Sequence, residues 1–210
     1  MIHRQTFATT ADFANAATSS SPDTLSELQR NALDSMLRVD HSGEIAANTI
    51  YIAQARVFGL LGDQTTSKMC WVLLETEKKH LKVAEKLLMQ HRVRPSLLNP
   101  IWGIAGSVLG GATALIGKEG AMAATEAVET VIGEHYDDQL KTLSAMTSGS
   151  EKVHPSLELL RNIVQEFRDD ELEHLDTAVE HDAQQAPAHA LLSAIIGFGC
   201  KGAIEVAKRF

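Results

Sequence analysis

Aromatic side chains are scarce, at 5% of 210 residues, and there are only two cysteines, Cys70 and Cys200. No stretch of any length alternates apolar and polar residues at period two, which excludes a β-sandwich or barrel. The cysteines lie far apart with no CxxC spacing. That excludes a disulfide scaffold and a zinc ribbon, and their apolar helical surroundings predict buried thiols in a reducing compartment. Basic residues are outnumbered, 19 Lys and Arg against 27 Asp and Glu, for a formal charge of −8. A chain so charged is not built around nucleic acid, whose phosphates it would repel. The opening stretch, MIHRQTFATTADFANAATSSSPD, has no apolar core of a signal peptide. Its acids and single arginine also differ from a mitochondrial transit peptide. A flexible arm over residues 1–23 is expected.

What is plentiful is Ala, Leu, Glu and Met, which favours helix. Apolar residues recur at about 100° per residue in four long segments: Thr24 to Phe58, Thr65 to Gln90, Ala121 to Ser144 and Pro155 to His181. Thr24 with Glu27 reads as a capping box opening the first. A shorter amphipathic pattern follows over residues 190–208. The expectation is an all-α chain with a single domain over residues 24–210, its long helices antiparallel because the connections are short.

The apolar stripes of these helices are interrupted by acids. In the fourth, Leu160, Val164, Phe167, Leu175 and Ala178 surround Glu171 and His174, while Asp169, Glu173, Asp176 and Glu180 face away as solvated charge. In the second, Glu77 and His80 sit among Cys70, Leu73, Leu74, Leu81, Ala84 and Leu88. Both pairs are Glu-x-x-His, in EKKH and ELEH. The other two stripes each carry one central carboxylate, Glu44 in the first and Glu129 in the third. Glu126, about 60° from Glu129 on the wheel, is a less central alternative. Tyr51 follows Glu44 by seven positions and Tyr136 follows Glu129 by seven, so the chain reads as a duplicated helix pair.

Four buried carboxylates without cations are untenable in an apolar bundle, and the stripes hold no Arg or Lys. Four carboxylates and two imidazoles suit two metal ions, the arrangement of ferritin-like di-iron or di-manganese bundles. The mixed oxygen and nitrogen set favours iron, whose reduced pair activates O₂. Tyr51, Tyr136, His135 and Asp170 are candidates to hydrogen-bond the ligands. Residues His41 and Asp40 lie near the stripe edge, where capping is the competing role.

Residues 96–117, SLLNPIWGIAGSVLGGATALIG, carry no charge. They are long enough to span a membrane, but Asn99, Pro100 and several glycines make a poor span. A buried or crossover helix is one alternative. A helix lying in the membrane interface, with Arg92, Arg94 and Lys118 as anchors, is favoured because a span would carry the chain away from the bundle. The pattern over residues 190–208 is also apolar on one side. Such surface suits a lipophilic substrate better than iron storage or peroxide scavenging, the alternatives for this metal set.

The segments RVDHSGEIAANTIYIAQ, ETEKKHLK, LNPIWGIAGSVLGGATALIGKEGAMAATEAVE and FRDDELEHLDTAVEHDA closely resemble the demethoxyubiquinone hydroxylase family, from about Leu25 to Phe210. The resemblance implies a ferritin-like di-iron enzyme that uses O₂ to hydroxylate a polyprenyl methoxy-benzoquinol ring in ubiquinone biosynthesis. Matched residue by residue, Glu44, Glu77, His80, Glu129, Glu171 and His174 take the ligand positions, with Glu77 and Glu171 bridging and Glu129 preferred over Glu126. It also implies peripheral association with the membrane that holds the quinone, and possible association with other ubiquinone-biosynthesis proteins or with a second copy. The arm suggests a bacterial member on the cytoplasmic side of the inner membrane. Electrons come from an external reductant, with NADH as the candidate source. No GxGxxG follows a strand, so any nicotinamide contact is indirect or unconventional.

Overall fold

Ser26, not Thr24, begins the first helix. Leu25 N–H bonds Pro22 O at 3.3 Å, so residues 22–25 form a turn and Thr24 precedes the helix. Ser26 Oγ then accepts from Gln29 N–H, and Gln29 Oε1 accepts from Ser26 N–H, a complete capping box two residues later than the sequence suggests. The computed structural model describes residues 21–149 and 153–210. Most of the arm expected over 1–23, and residues 150–152, lie outside the described residues. The helices are α1 (Glu27–Leu61), α2 (Gln64–His91), α3 (Asn99–Ile116), α4 (Lys118–Thr147), α5 (Pro155–Glu180) and α6 (His189–Ala207), with a 3₁₀ turn at Ala183–Gln185. No strand is present among the described residues.

Two hairpins make a ferritin-like bundle. Gly62 closes α1 at φ 86°, a left-handed position that costs glycine little, and Asp63 caps α2 through Thr66 N–H. α1 therefore packs antiparallel to α2, and α4 packs against α5 in the same way. Apolar residues fill both ends of the bundle. Leu37, Leu88, Leu143, Leu160 and Phe167 lie at one end, and Phe58, Cys70, Met122 and Ala178 at the other. The polar residues of interest fall between these two plugs. Cys70 is fully buried, whereas Cys200 is only half-buried, a departure from the expected pair of core thiols. Burial raises their pKa values, to about 12 and about 11 respectively.

The uncharged segment 96–117 forms α3, which lies across α1. Ideal Cβ atoms on Gly106 and Gly110 would stand 2.4 Å from Ala46 O and 2.3 Å from Ile50 O, so the two backbones approach closer than any side chain allows. Asn99 does not face the apolar side. It accepts from Ser42 Oγ at 2.9 Å and meets His41 Nδ1 at 3.2 Å, tying the first turn of α3 to α1. Gly117, at φ 125°, is the one residue between α3 and α4 and redirects the chain. Gly110→Ala is expected to push α3 off α1 and destabilise the protein by about 1–3 kcal/mol. Gly111→Ala, with nothing within 4 Å, should be neutral or stabilising. Urea midpoints at unchanged m-value check both.

Helices α3 and α6 cover the same face of the bundle, α3 packed on α1 and α6 on α4. Leu109 from α3 and Leu192 and Ile196 from α6 meet a common cluster of Ile50, Ala124, Ala127 and Val128. Their outer surfaces stay bare: Ile104 is 66% exposed, Val108 65%, Ile195 62% and Phe198 83%. By length and composition both helices could cross a membrane, yet α3 returns at Gly117 into a bundle helix.

Candidate metal centre

Each bundle helix carries its acid on the face that meets the others, so the four helices converge on one buried polar pocket. The structure brings Glu44, Glu77, His80, Glu129, Glu171 and His174 together, each at most 4% exposed. They form two overlapping groups: Glu44, Glu77, His80 and Glu171, and Glu77, Glu129, Glu171 and His174. Within each, one ligand atom per residue lies within 4.8 Å of every other. Glu77 and Glu171 belong to both groups, which places them between two candidate ion positions.

The polar atoms in this pocket lack ordinary partners. Glu44 Oε2, both carboxylate oxygens of Glu77, His80 Nδ1 and His174 Nδ1 make no hydrogen bond. His174 Nδ1 is 2.9 Å from Glu77 Oε1 and 3.6 Å from Glu171 Oε2, and His80 Nδ1 is 3.4 Å from Glu171 Oε1. These close approaches are unaligned for hydrogen bonding and aim at shared points. No Lys or Arg is buried among the described residues to neutralise the acids. Orphaned buried oxygens and nitrogens of this kind fit cations, and two ions would satisfy all of them.

The surrounding residues orient the set. Tyr51 on α1 donates to Glu129 on α4 at 2.6 Å, and Tyr136 on α4 donates to Glu44 on α1 at 2.9 Å. The duplicated Tyr positions thus swap partners across the bundle, each fixing the other half's carboxylate. Asp170 reaches His80 Nε2 at 3.0 Å, and Phe167 stacks on the same ring at 4.0 Å. With Nε2–H given to Asp170, Nδ1 presents its lone pair to the pocket. The repeat is asymmetric here, because Thr76 occupies the position before Glu77 that Asp170 occupies before Glu171.

Two candidates lie elsewhere. His135 turns to Asp40, 3.4 Å away, and to Gln139 Nε2 at 2.8 Å. Glu126 pairs with His189 of α6 at 2.6 Å, outside both ligand groups, so its role is to hold α6 on α4. Sequence reading missed three buried amides. Asn48 donates to the carbonyls of Glu44 and Glu77, Gln54 to that of Ala121, and Gln139 to Asp40 at 2.5 Å. A signal existed for two of them, since Gln54 and Gln139 each follow the lone glutamate by ten residues.

Electrostatics in the metal-free pocket follow from burial. Desolvation raises the carboxyls of Glu44, Glu77 and Glu129, and neighbouring acids add to it. Glu171 behaves oppositely: burial pushes it up, but His174 and His80 more than offset this and hold it below the usual range. Burial lowers His174, yet Glu171 and Glu77 raise it to about 11, and His80 is likewise raised by Asp170, Glu171 and Glu44. Protons thus stand in where metals would sit.

Comparison with known proteins adds the lineage. The family model for ubiquinone biosynthesis protein COQ7 matches residues 31–207. The chain belongs to the COQ7 family. This COQ7-family chain is 46% identical over 191 residues to the mitochondrial NADPH-dependent 3-demethoxyubiquinone 3-hydroxylase of Mus musculus, covering 91% of this chain and 84% of that one. It is 40% identical over 192 residues to the mitochondrial 5-demethoxyubiquinone hydroxylase of Saccharomyces cerevisiae, covering 88% and 81%. A bacterial relative, the 3-demethoxyubiquinol 3-hydroxylase of Rhodospirillum rubrum, is 39% identical over 177 residues, covering 84% and 78%. The matched span contains all six residues of the pocket.

Proposed function

We propose that this chain is a di-iron monooxygenase that hydroxylates the ring of a polyprenyl methoxy-benzoquinol in ubiquinone biosynthesis. The observation that carries the reading is the pocket of four carboxylates and two imidazoles with its unpartnered oxygens and nitrogens, in a chain of this lineage. Glu44, Glu77, His80 and Glu171 would hold one iron, and Glu77, Glu129, Glu171 and His174 the other. When bound and reduced, the pair supplies the electrons and open coordination positions that activate O₂.

The protein's own part is orientation and exclusion of water. Tyr51 and Tyr136 keep Glu129 and Glu44 turned inward, and Asp170 fixes the tautomer of His80. The Leu37 and Phe58 ends of the bundle seal the pocket from solvent along its axis. The wall under α3 and α6, made of Ile50, Ala124, Ala127 and Val128, is apolar and of small side chains. A lipophilic quinol fits an approach through that wall, its prenyl tail along the bare α3 and α6 surfaces, with the chain resting on a membrane. The mammalian relatives are named for NADPH. We assign the same class of reductant, reduced nicotinamide, to this chain.

Aerobic incubation of the iron-loaded protein with demethoxyquinol and a reduced nicotinamide is expected to give the hydroxylated ring, with about two irons per chain. Iron oxidation without ring product, or many irons accumulated per chain, would instead identify an iron-storage protein.

A further inference from the structure

The bare α3/α6 face has two unlike ends. Helix α3 begins where α6 finishes: Leu97 N–H bonds Phe210 O at 3.0 Å, and Arg38 donates to Arg94 O at 3.3 Å and to Lys208 O at 3.1 Å. This end carries exposed Arg92, Arg94, Lys208 and Arg209. Of its acids, Asp34 is engaged with Arg38 and Glu205 with Lys208, while Glu85 stands exposed on the notch wall and is outnumbered by Arg92, Arg94, Lys208 and Arg209. Arg92, Arg94 and Arg209 form no ion pair among the described residues. At the other end, where α3 finishes and α6 begins, Lys118 is taken by Asp182 at 2.7 Å, and Glu119 and Glu126 lie nearby in sequence.

The basic end is also hollow. A notch of about 700 Å³ opens between α1, the last turn of α2 and the strand of chain leading into α3, lined by His41, Glu85, Met89, Arg92 and Arg94 among others. Arg92 is held at its rim by a left-handed helix cap, φ 56°. Asn99, at the start of α3, touches His41 on the notch wall at 3.2 Å, so the hollow adjoins the first turn of α3.

We propose that this notch receives the phosphate headgroup of an anionic membrane lipid, while the α3/α6 face lies on the acyl chains beside it. The proposal rests on the reading that this face meets a membrane and adds which lipid and which orientation. Charge selects both. The chain as a whole carries −8, so an anionic bilayer repels its other surfaces. Along the α3/α6 face the end bearing Arg92, Arg94 and Arg209 is the one attracted, and its pull acts within about 8–10 Å of the surface at moderate salt. The chain therefore docks with the start of α3 and the end of α6 at the headgroups, the Lys118–Asp182 end less tightly held.

Cosedimentation with vesicles of phosphatidylcholine alone, or mixed with phosphatidylglycerol, tests this with the full chain. The wild type is expected to bind the mixed vesicles roughly tenfold more tightly or better, with the preference collapsing at high salt. Arg92→Gln with Arg94→Gln should bind both vesicles equally weakly. Arg92→Lys with Arg94→Lys, which keeps the charge, should keep the preference. Ile104→Gln with Phe198→Gln should lose binding to both. Equal wild-type binding to the two vesicles, or a preference that survives the glutamine pair or high salt, overturns the proposal. So does a wild type that ignores vesicles and runs as a dimer, since a second copy then covers the face. The wild-type salt titration decides even where a variant misfolds. Turnover of a tail-less, water-soluble quinol without vesicles examines the hydroxylase reading separately, so either can fail alone.

Discussion

Glu77→Gln and Glu171→Gln are both expected to empty the pocket of metal and abolish hydroxylation, yet to move the stability of the metal-free protein in opposite directions. Each glutamate belongs to both ligand groups, so losing either weakens two ion positions at once, whereas Glu44 and Glu129 each serve one. Turnover should fall at least about a thousandfold, equivalent to about 4 kcal/mol of barrier. Stability separates the two. In the metal-free fold the Glu77 carboxyl is raised by burial and by Glu171, so ionising it costs free energy at neutral pH. Glutamine mimics its protonated form, and the metal-free variant should be more stable than wild type by about 1–3 kcal/mol at pH 8. Glu171 is held down by His174 and His80, and its ionised form contributes stability above the ordinary carboxyl range. Its glutamine variant takes from His174 its strongest carboxylate partner and from His80 one of several, and should be less stable at the same pH. Metal analysis with calorimetry of the metal-free proteins measures both quantities. Equal shifts of the same sign would remove the charge assignment, and retained metal in either variant would remove the bridging one.

The convergence of Glu44, Glu77, His80, Glu129, Glu171 and His174 on one pocket was legible in the sequence because a glutamate in the middle of an apolar stripe contradicts the stripe. Four such contradictions, arranged as a repeat, leave few chemistries that satisfy them. The solvated reading of Asp169, Glu173, Asp176 and Glu180 was equally visible, and all four are exposed. What periodicity left open was anything decided across helices. Glu126 and Glu129 differ by about 60° on a wheel, and only the position of His189 on α6 settles where Glu126 goes. The exchange of Tyr51 and Tyr136 between repeats depends on how the hairpins face each other, which no single-helix pattern encodes. Asn99 looked like a polar fault in an apolar run, because its partners, His41 and Ser42, lie 58 and 57 residues away. Helix starts were blurred for a local reason: Thr24 and Ser26 both suit a cap, and the turn closed by Pro22 O chooses between them.

Removing the metals is expected to reverse the direction in which pH acts on stability. In the metal-free protein Glu44, Glu77 and Glu129 have folded pKa values above their unfolded ones, and so do His80 and His174. A raised folded pKa means the native state binds more protons than the unfolded chain, and stability then falls as pH rises. For the three glutamates the loss begins above the ordinary carboxyl range, near pH 4.5. For His174 it begins above about 6.5 and runs toward about 11. Glu171 has the opposite sign, but its folded pKa lies below the ordinary range, so its contribution changes only under more acid conditions. Between pH 6 and 9 the metal-free protein should therefore lose stability steadily, and a total of about 2–4 kcal/mol is a reasonable scale for several shifted groups. The metal-loaded protein should do the reverse. Its ligands must be deprotonated to bind, so acid releases the ions and alkaline pH holds them. Melting temperatures of the two forms across this range should run in opposite directions, and loading with metal should stabilise most at high pH. Parallel curves would show that protons and metals do not compete for Glu44, Glu77, His80, Glu129, Glu171 and His174, and the metal assignment of this pocket would fall with that result.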